Sequence, residues 1–318
     1  MKPNFIIGGG RRCGSTFLYH LLNSHSSVGM YKYTDNSFFI DKDIASRKTW
    51  MDGQVIKNSW NKTKNEYYNR FNELSNNKII GEKCADILHW KPSHARLKSI
   101  APDIKIIIQL RNPIHRAFSQ YNNELYKGRE WLSFAEAIQS EKERSEKSDY
   151  AKYHLGYIRG SKYYNLIKSL LKNFGENQIM ITIFEETIND YQNLANNLFS
   201  FLNLNQSVKI DFSELLTNKN INKIERREVF KSKIFDSLIK KNNSLIKIIA
   251  SKLIKDGQYV DTSSRRKIFY HKYNKIMYKN VQVPKIDNTF YYKLFQYFKK
   301  DINNLEKLIG RDLSVWKI

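Results

Sequence analysis

Three short stretches of the chain carry residue types that can hold an anion and move a proton. The first is Gly8 to Thr16, GGGRRCGST. Its three leading glycines open turns that a side chain would block. Ser15-Thr16 then begins a segment with Phe17, Leu18, Leu21 and Leu22 at helical spacing. A glycine-rich turn entering a helix presents N–H groups and the positive end of the helix dipole, a site for phosphate or sulfate. Gly9 to Gly14 has the G-x-x-x-x-G spacing of a P-loop, but Ser15 stands where Lys would follow. The positive charge lies inside the loop, at Arg11 and Arg12. The bland alternative is a turn that only packs a helix on a strand.

The second stretch is Lys78 to Cys84, KIIGEKC. A short strand ending at Gly81 would leave Glu82 and Lys83 where ligands gather in open α/β sheets, at the carboxyl ends of strands. Glu82 there is a candidate general base, or else one half of a surface ion pair with little energetic value. The third stretch follows Ile104 to Leu110, a β-branched run typical of a central parallel strand. That strand ends in Arg111, with Ser119 on the helix beyond. A metal-binding Walker B strand would end in Asp. Arg111 instead offers a bidentate contact to phosphate, and Ser119 adds a donor.

The elements that must position these residues alternate between strand and helix. Tyr163 to Phe174 is an amphipathic helix with Leu166, Ile167, Leu170 and Leu171 inward. Gln178 to Phe184 is another parallel-type strand, followed by Glu185-Glu186, and Asn193 to Leu204 is a further helix. Phe290 to Ile309 closes the chain as a helix capped by Gly310. Such alternation implies an α/β fold with a central, mainly parallel sheet between helical layers. His25 reads as a loop histidine capping the preceding helix rather than a ligand contact. Trp50, Trp60, Tyr67, Tyr68 and Phe71 read as core packing over the sheet edge, and Trp131 to Tyr150 as helical or mobile.

At 318 residues with 41% hydrophobic content, the chain can build one large α/β domain. We expect a single domain over 1–318, with 31–77 and 207–287 as substrate-side or lid insertions. The net charge of +23 admits nucleic acid, anionic membrane or an anionic small molecule or glycan as partner. The lysines are spread along the chain, and no zinc-finger or RNA-recognition signature appears, so nucleic acid is not expected. Phe230 to Ile254 is a basic amphipathic stretch that could lie on a membrane, although core packing is the commoner use. Arg265-Arg266-Lys267 could close over an anionic ligand. Only two cysteines occur, Cys13 and Cys84, so a disulfide framework is excluded and a cytoplasmic location is expected. The N-terminal apolar run is too short for a signal peptide, and no stretch approaches a membrane span.

Taken together, these motifs resemble the sulfotransferases that use 3′-phosphoadenosine 5′-phosphosulfate (PAPS), in particular the carbohydrate branch with the heparan sulfate enzymes and bacterial members. GGRRCGST resembles that family's 5′-phosphosulfate loop, and Leu110 to Tyr121, LRNPIHRAFSQY, resembles its 3′-phosphate motif. Gly81 to Lys83 resembles the segment bearing the catalytic carboxylate, and Leu305 to Trp316 the family's C-terminus. The chain departs at Arg12, where the family usually carries Lys, and at Ser15, where Thr is common.

The resemblance implies a P-loop-like three-layer sandwich and sulfuryl transfer from PAPS to a hydroxyl or amine, without a metal. It implies that Arg11, Arg12, Cys13, Gly14, Ser15, Thr16, Arg111 and Ser119 bind the donor. It also implies that Glu82, Arg12 and Lys83 are catalytic and that Lys32 and Glu82 meet the acceptor, a carbohydrate or glycolipid. The cytoplasmic expectation rests on the cysteine count, and contact with the inner membrane face through 230–254 is the option that the basic amphipathic stretch leaves open. Two rivals remain: a P-loop kinase using ATP and Mg²⁺, and a non-catalytic basic protein that binds anions or glycans. Oligomeric state is not legible.

Overall fold

The computed structural model describes residues 1–35, 37–41, 60–126, 130, 132–147, 149–206, 208, 210–217, 226–229, 278–281, 286 and 288–317. Five parallel strands form one sheet in the order β2-β3-β1-β4-β5. They are β1 (Phe5–Gly9), β2 (Val28–Met30), β3 (Ile79–Lys83), β4 (Lys105–Leu110) and β5 (Ile179–Ile183). Chain order reverses around β1, which pairs with β3 on one side and β4 on the other. The carboxyl ends of these three strands therefore converge, at the position where open α/β sheets bind ligands.

The alternation of side chains along each strand divides the core into two layers. Ile6, Ile80, Ile106 and Ile108 face one layer, covered by α3 (Pro92–Ile100), α8 (Tyr164–Asn173) and α12 (Asn288–Ile309). Phe5, Ile7 and Ile107 face the other, covered by α1 (Ser15–Asn23) and α10 (Tyr191–Leu202). Sheet strands buried on both faces explain why β1 and β4 read as unbroken apolar runs. The remaining helices are α2 (Lys64–Asn69), α4 (Pro113–Tyr126), α5 (Phe134–Gln139), α6 (Glu141–Lys147), α7 (Asp149–His154), α9 (Phe184–Thr187) and α11 (Phe212–Thr217). A separate antiparallel pair joins β6 (Arg226–Val229) to β7 (Tyr278–Val281).

Several expected elements appear with shifted ends. β3 does not stop at Gly81: parallel pairing with β1 continues, Ile6 opposite Glu82 and Ile7 opposite Lys83. The two charged residues thus lie in the strand, because β1 supplies hydrogen bonds as far as its glycines. Leu171 is only partly buried, whereas Leu166, Ile167 and Leu170 point inward as expected. His25 is buried, and its backbone N–H donates to the Leu22 carbonyl in the last turn of α1 at 3.2 Å. Its Nδ1 accepts the Ser27 N–H at 3.1 Å and its Nε2 lies 3.1 Å from the Asn205 carbonyl, tying the α1–β2 turn to the end of α10. Tyr67 and Phe71 are fully buried, as core aromatics should be. The segment read as helical or mobile forms α5 and α6, and Glu185 holds two distant pieces of backbone and side chain together. Its Oε1 accepts the Asn112 N–H and its Oε2 the Trp316 Nε1–H, each at 2.9 Å. Gly310 ends α12 with φ +60°, the left-handed cap expected of it. Trp50, the stretch 230–254 and the run 265–267 lie outside the described residues.

His94 ties α3 to α8 within one helical layer. On α3, its Nε2 lies 3.0 Å from the Ile87 carbonyl and its Nδ1 3.0 Å from Ser169 Oγ on α8. Burial lowers its pKa to about 4, so the imidazole is neutral in the fold. A group depressed below its unfolded value stabilises the fold above pH ~6.5 and loses that contribution as pH falls toward 4. The difference corresponds to ~3 kcal/mol. Denaturant titrations should therefore show stability falling between pH 7 and pH 4, and His94→Gln should flatten that slope. Close packing also sets a steric expectation. A Cβ on Gly81 would sit 2.2 Å from the Phe5 ring, so Gly81→Ala should lower stability by about 1–3 kcal/mol.

Candidate functional site

The turn after β1 is held from three sides. Gly10 N–H donates to the Gln109 carbonyl at 2.8 Å, which ties the turn to β4. Arg11 N–H donates to His89 Nε2 at 2.9 Å. Arg116 Nε, on α4, donates to the Arg11 carbonyl at 3.2 Å. Burial, with Arg116 and Arg11 nearby, holds the His89 pKa well below its ordinary value. A neutral imidazole is the form that can accept the Arg11 N–H. Arg116 is itself buried, and burial brings its pKa down to about 10.

Beyond these ties the turn opens into α1. Gly14 is the N-cap, with φ +94°, and no side chain caps the helix. A Cβ at Gly14 would be strained by that φ and would meet the Phe184 ring at 3.0 Å. The first turn contains no acidic residue. The N–H groups of Gly14, Ser15 and Thr16 have no protein acceptor among the described residues. They form the positive, unsatisfied end of a nine-residue helix.

The sequence candidates divide into those turned outward from this scaffold and those built into it. Arg12 has φ +67°, rare for a residue with a side chain, and reaches α4. Its Nε donates to Ser119 Oγ at 3.2 Å and its Nη1 to Asn123 Oδ1 at 3.5 Å. Burial, opposed by Glu124, lowers its pKa. Arg111, just past β4, donates from Nη1 to the Arg12 carbonyl at 3.4 Å and stacks on Phe184, 4.7 Å from the ring centre. No carboxylate pairs with it among the described residues, and its Nε is buried without a hydrogen-bond partner. Arg12, Arg111 and Ser119 are thus brought together beside the helix entrance.

Arg11 is not part of that group. Its guanidinium pairs with Asp86 at 3.1 Å, donates to the Tyr153 carbonyl at 2.7 Å and lies 4.2 Å from the Tyr153 ring centre. It braces the turn from behind. Cys13 contributes backbone only. Its N–H donates to the Gly10 carbonyl at 3.2 Å, and its thiol is buried near Tyr163. Lys32, two residues past β2, is exposed and pairs with Glu73 at 2.7 Å.

Glu82 and Lys83 occupy the end of β3. Lys83 is 4% exposed and pairs with the Asp35 carboxylate, which also accepts the Ala85 N–H at 3.0 Å. Glu82 has no exposed surface, so it is not half of a surface ion pair. Tyr67 Oη–H donates to its Oε1, and Arg70 Nη2 donates to its Oε2 at 3.0 Å. Sequence reasoning placed Tyr67 only in the core and did not single out Arg70, His89, Asp35 or Asp86. The i, i+3 spacing of Tyr67 in α2 and Arg70 at its C-cap was the available signal.

Comparison with known proteins gives a consistent picture. The sulfotransferase domain family model matches residues 2–280. The chain is 25% identical over 130 residues to the membrane-associated sulfotransferase kil1 of Dictyostelium discoideum, covering 41% of this chain and 24% of that protein. It is 30% identical over 125 residues to the bifunctional heparan sulfate N-deacetylase/N-sulfotransferase 4 of Mus musculus, covering 38% of this chain and 13% of that protein. The matched stretches therefore span about a quarter or less of either relative's length. A solved sulfotransferase from Alicyclobacillus acidocaldarius superposes with a TM-score of 0.67 at 22% identity, covering 100% of both chains, and shares the fold.

The burial of both thiols sets a chemical expectation. Burial pushes the Cys13 thiol up to about 11 and the Cys84 thiol well above its usual value. The thiolate is the reactive form. Ellman's reagent at pH 8 should therefore titrate neither thiol in the native protein and both after denaturation. A fast-reacting native thiol would contradict this packing.

Proposed function

The chain belongs to the sulfotransferase family, and from that premise we propose that it moves a sulfuryl group from PAPS to a hydroxyl or amine of a carbohydrate or glycolipid. The observation that carries the donor assignment is the convergence of Arg12, Arg111 and Ser119 beside an uncapped helix N-terminus. Two anion-accepting features in one site fit a donor with phosphate groups on both its 5′ and 3′ positions. Arg111 has cationic capacity to offer, since among the described residues no carboxylate takes it and its Nε is unpartnered.

In this reading the N–H groups of Gly14, Ser15 and Thr16 hold the 5′-phosphate. Arg111 and Ser119 hold the 3′-phosphate. Arg12, already on Ser119, lies between the two subsites and stabilises charge that develops on the bridging oxygen. As a planar guanidinium it cannot act as the compact ammonium of a Lys. When bound, the donor supplies the sulfuryl group, whose sulfur bonds the acceptor atom as its bond to the 5′-phosphate oxygen breaks, the electron pair leaving on that oxygen. Glu82 takes the acceptor proton, and burial keeps bulk water from it. Lys83, steadied by Asp35 next to Glu82, places positive charge near the transferred group. Lys32 and the exposed Tyr33 offer contacts to an anionic sugar. The heparan sulfate relative supports a carbohydrate acceptor, and the membrane-associated relative supports contact with a membrane. Among the described residues, no helix is long and apolar enough to cross a membrane.

Arg111 ends β4 where a metal-dependent phosphoryl-transfer enzyme places a carboxylate, so activity should persist in EDTA. The decisive measurement is calorimetric titration with adenosine 3′,5′-bisphosphate in EDTA, against ADP with Mg²⁺. The bisphosphate should bind the wild type, and Arg111→Ala should weaken it about 10- to 100-fold, the loss of a charge-assisted pair. A preference for ADP with Mg²⁺ would sink the donor assignment and favour a kinase.

A further inference from the structure

The face of α4 that borders the anion site carries a histidine. Arg111 lies two residues before α4, and His115, Ser119 and Asn123 follow it at four-residue steps. That spacing keeps side chains on one face of a helix. Arg12 already bonds Ser119 and Asn123 there. His115 stands between Arg111 and Ser119 and is exposed, whereas its neighbours Ile114 and Arg116 are buried. Its backbone is held by the Asn112 side chain, whose Oδ1 accepts the His115 N–H at 3.3 Å and the Ile114 N–H at 3.0 Å. Its ring centre lies 5.8 Å from that of Tyr291, whose hydroxyl accepts from Asn112 Nδ2 at 3.0 Å. Neither ring nitrogen has a hydrogen-bond partner among the described residues.

An imidazole with both nitrogens open, one helical turn from Ser119, can take a proton and donate to a phosphate oxygen. The groups around it set the direction of that equilibrium. Crowding of the ring by protein, and then the Arg111 charge, hold its pKa below the ordinary value, with Glu185 opposing them. Glu185 is itself engaged by the Asn112 N–H and Trp316. Tyr291, facing His115 from α12, is pushed upward by burial and stays a neutral phenol. At pH 7 the free protein therefore holds His115 mainly neutral. A phosphate dianion at Arg111 and Ser119 offsets the Arg111 charge and favours the imidazolium.

We propose that His115 is a further donor-binding residue, which meets the 3′-phosphate beside Arg111 and Ser119 and takes up a proton from solvent as it does so. This rests on the reading of that site as the 3′-phosphate subsite. It adds a contact that a nucleotide with a free 3′-hydroxyl does not use. The added affinity is complete below the His115 midpoint of the free protein and is lost as pH rises through the higher midpoint of the complex.

The test uses the full chain, wild type and His115→Gln, with adenosine 3′,5′-bisphosphate and with adenosine 5′-phosphate as the probe that lacks the 3′-phosphate. Glutamine keeps a hydrogen-bond donor and cannot be charged. Calorimetric titrations from pH 5.5 to pH 8.5 give the affinity ratio of wild type to variant, in which the protonation of the phosphates themselves cancels. For the bisphosphate that ratio should be about 10 at pH 6, the gain of a hydrogen bond to a charged group, and should approach 1 at pH 8.5. For adenosine 5′-phosphate it should stay near 1 throughout. The imidazole Cε1–H resonance of His115, assigned by its loss in the variant, should titrate below about 6.5 in the free protein and more than about one unit higher with the bisphosphate, as a tenfold ratio requires. A ratio that does not change with pH, or a midpoint that the bisphosphate does not move, overturns the inference and leaves the donor site standing. An equal response to adenosine 5′-phosphate puts His115 on the other phosphate and also overturns it. No binding of the bisphosphate by the wild type removes the 3′-phosphate reading and the inference with it.

Discussion

A polar group taken out of water must find a partner, and that requirement shapes the whole edge of the sheet where β1, β3 and β4 end. Arg11, His89, Asp86, Lys83, Asp35, Glu82 and Arg70 are bound to one another or to backbone within the protein. Among the described residues, the first N–H groups of α1 and the Nε of Arg111 have no internal partner beside this turn, and Arg70 Nη1 and His89 Nδ1 have none deeper in the fold. A basic surface is common in a chain of this composition, but unpartnered donors gathered around one turn are not.

The scaffold is itself electrostatic. His89 stays neutral because two arginines and burial disfavour its proton, and as a neutral ring it can accept an N–H from the turn. Arg116 tolerates burial by donating to carbonyls and to Ser161 rather than to a carboxylate. These two ties to the turn are thereby made without a carboxylate, although Asp86 pairs with Arg11 and Glu124 acts on Arg12 nearby. A carboxylate in the place of His89 would hold the same N–H and repel the ligand.

Much of the fold was legible from pattern. The apolar runs at Phe5–Ile7 and Ile104–Leu110 became central strands, since residues buried on both faces leave no polar alternation, while Gln178–Phe184 became the edge strand β5. The helices at 15–23, 164–173 and 288–309 followed from their apolar spacing. Strand ends were less legible. Glu82 and Lys83 look like loop residues, yet they extend β3 because the neighbouring strand continues beside them. Pairing with a distant segment leaves no local mark.

The amino-acid sequence by itself determined the kind of chemistry available: a glycine-rich turn before an apolar helix, an Arg at the end of a central strand, a carboxylate beside a lysine. Those features are local, and residue type and spacing express them fully. The tertiary structure alone decided which of two adjacent arginines turns outward. Arg11 and Arg12 are chemically the same, but Asp86 and Tyr153 draw one behind the turn while Ser119 and Asn123 receive the other. It likewise decided that Glu82 is a buried carboxylate paired with Arg70, twelve residues earlier in the chain and on another element. Both outcomes depend on contacts between segments far apart in sequence, and only folding brings those contacts into being.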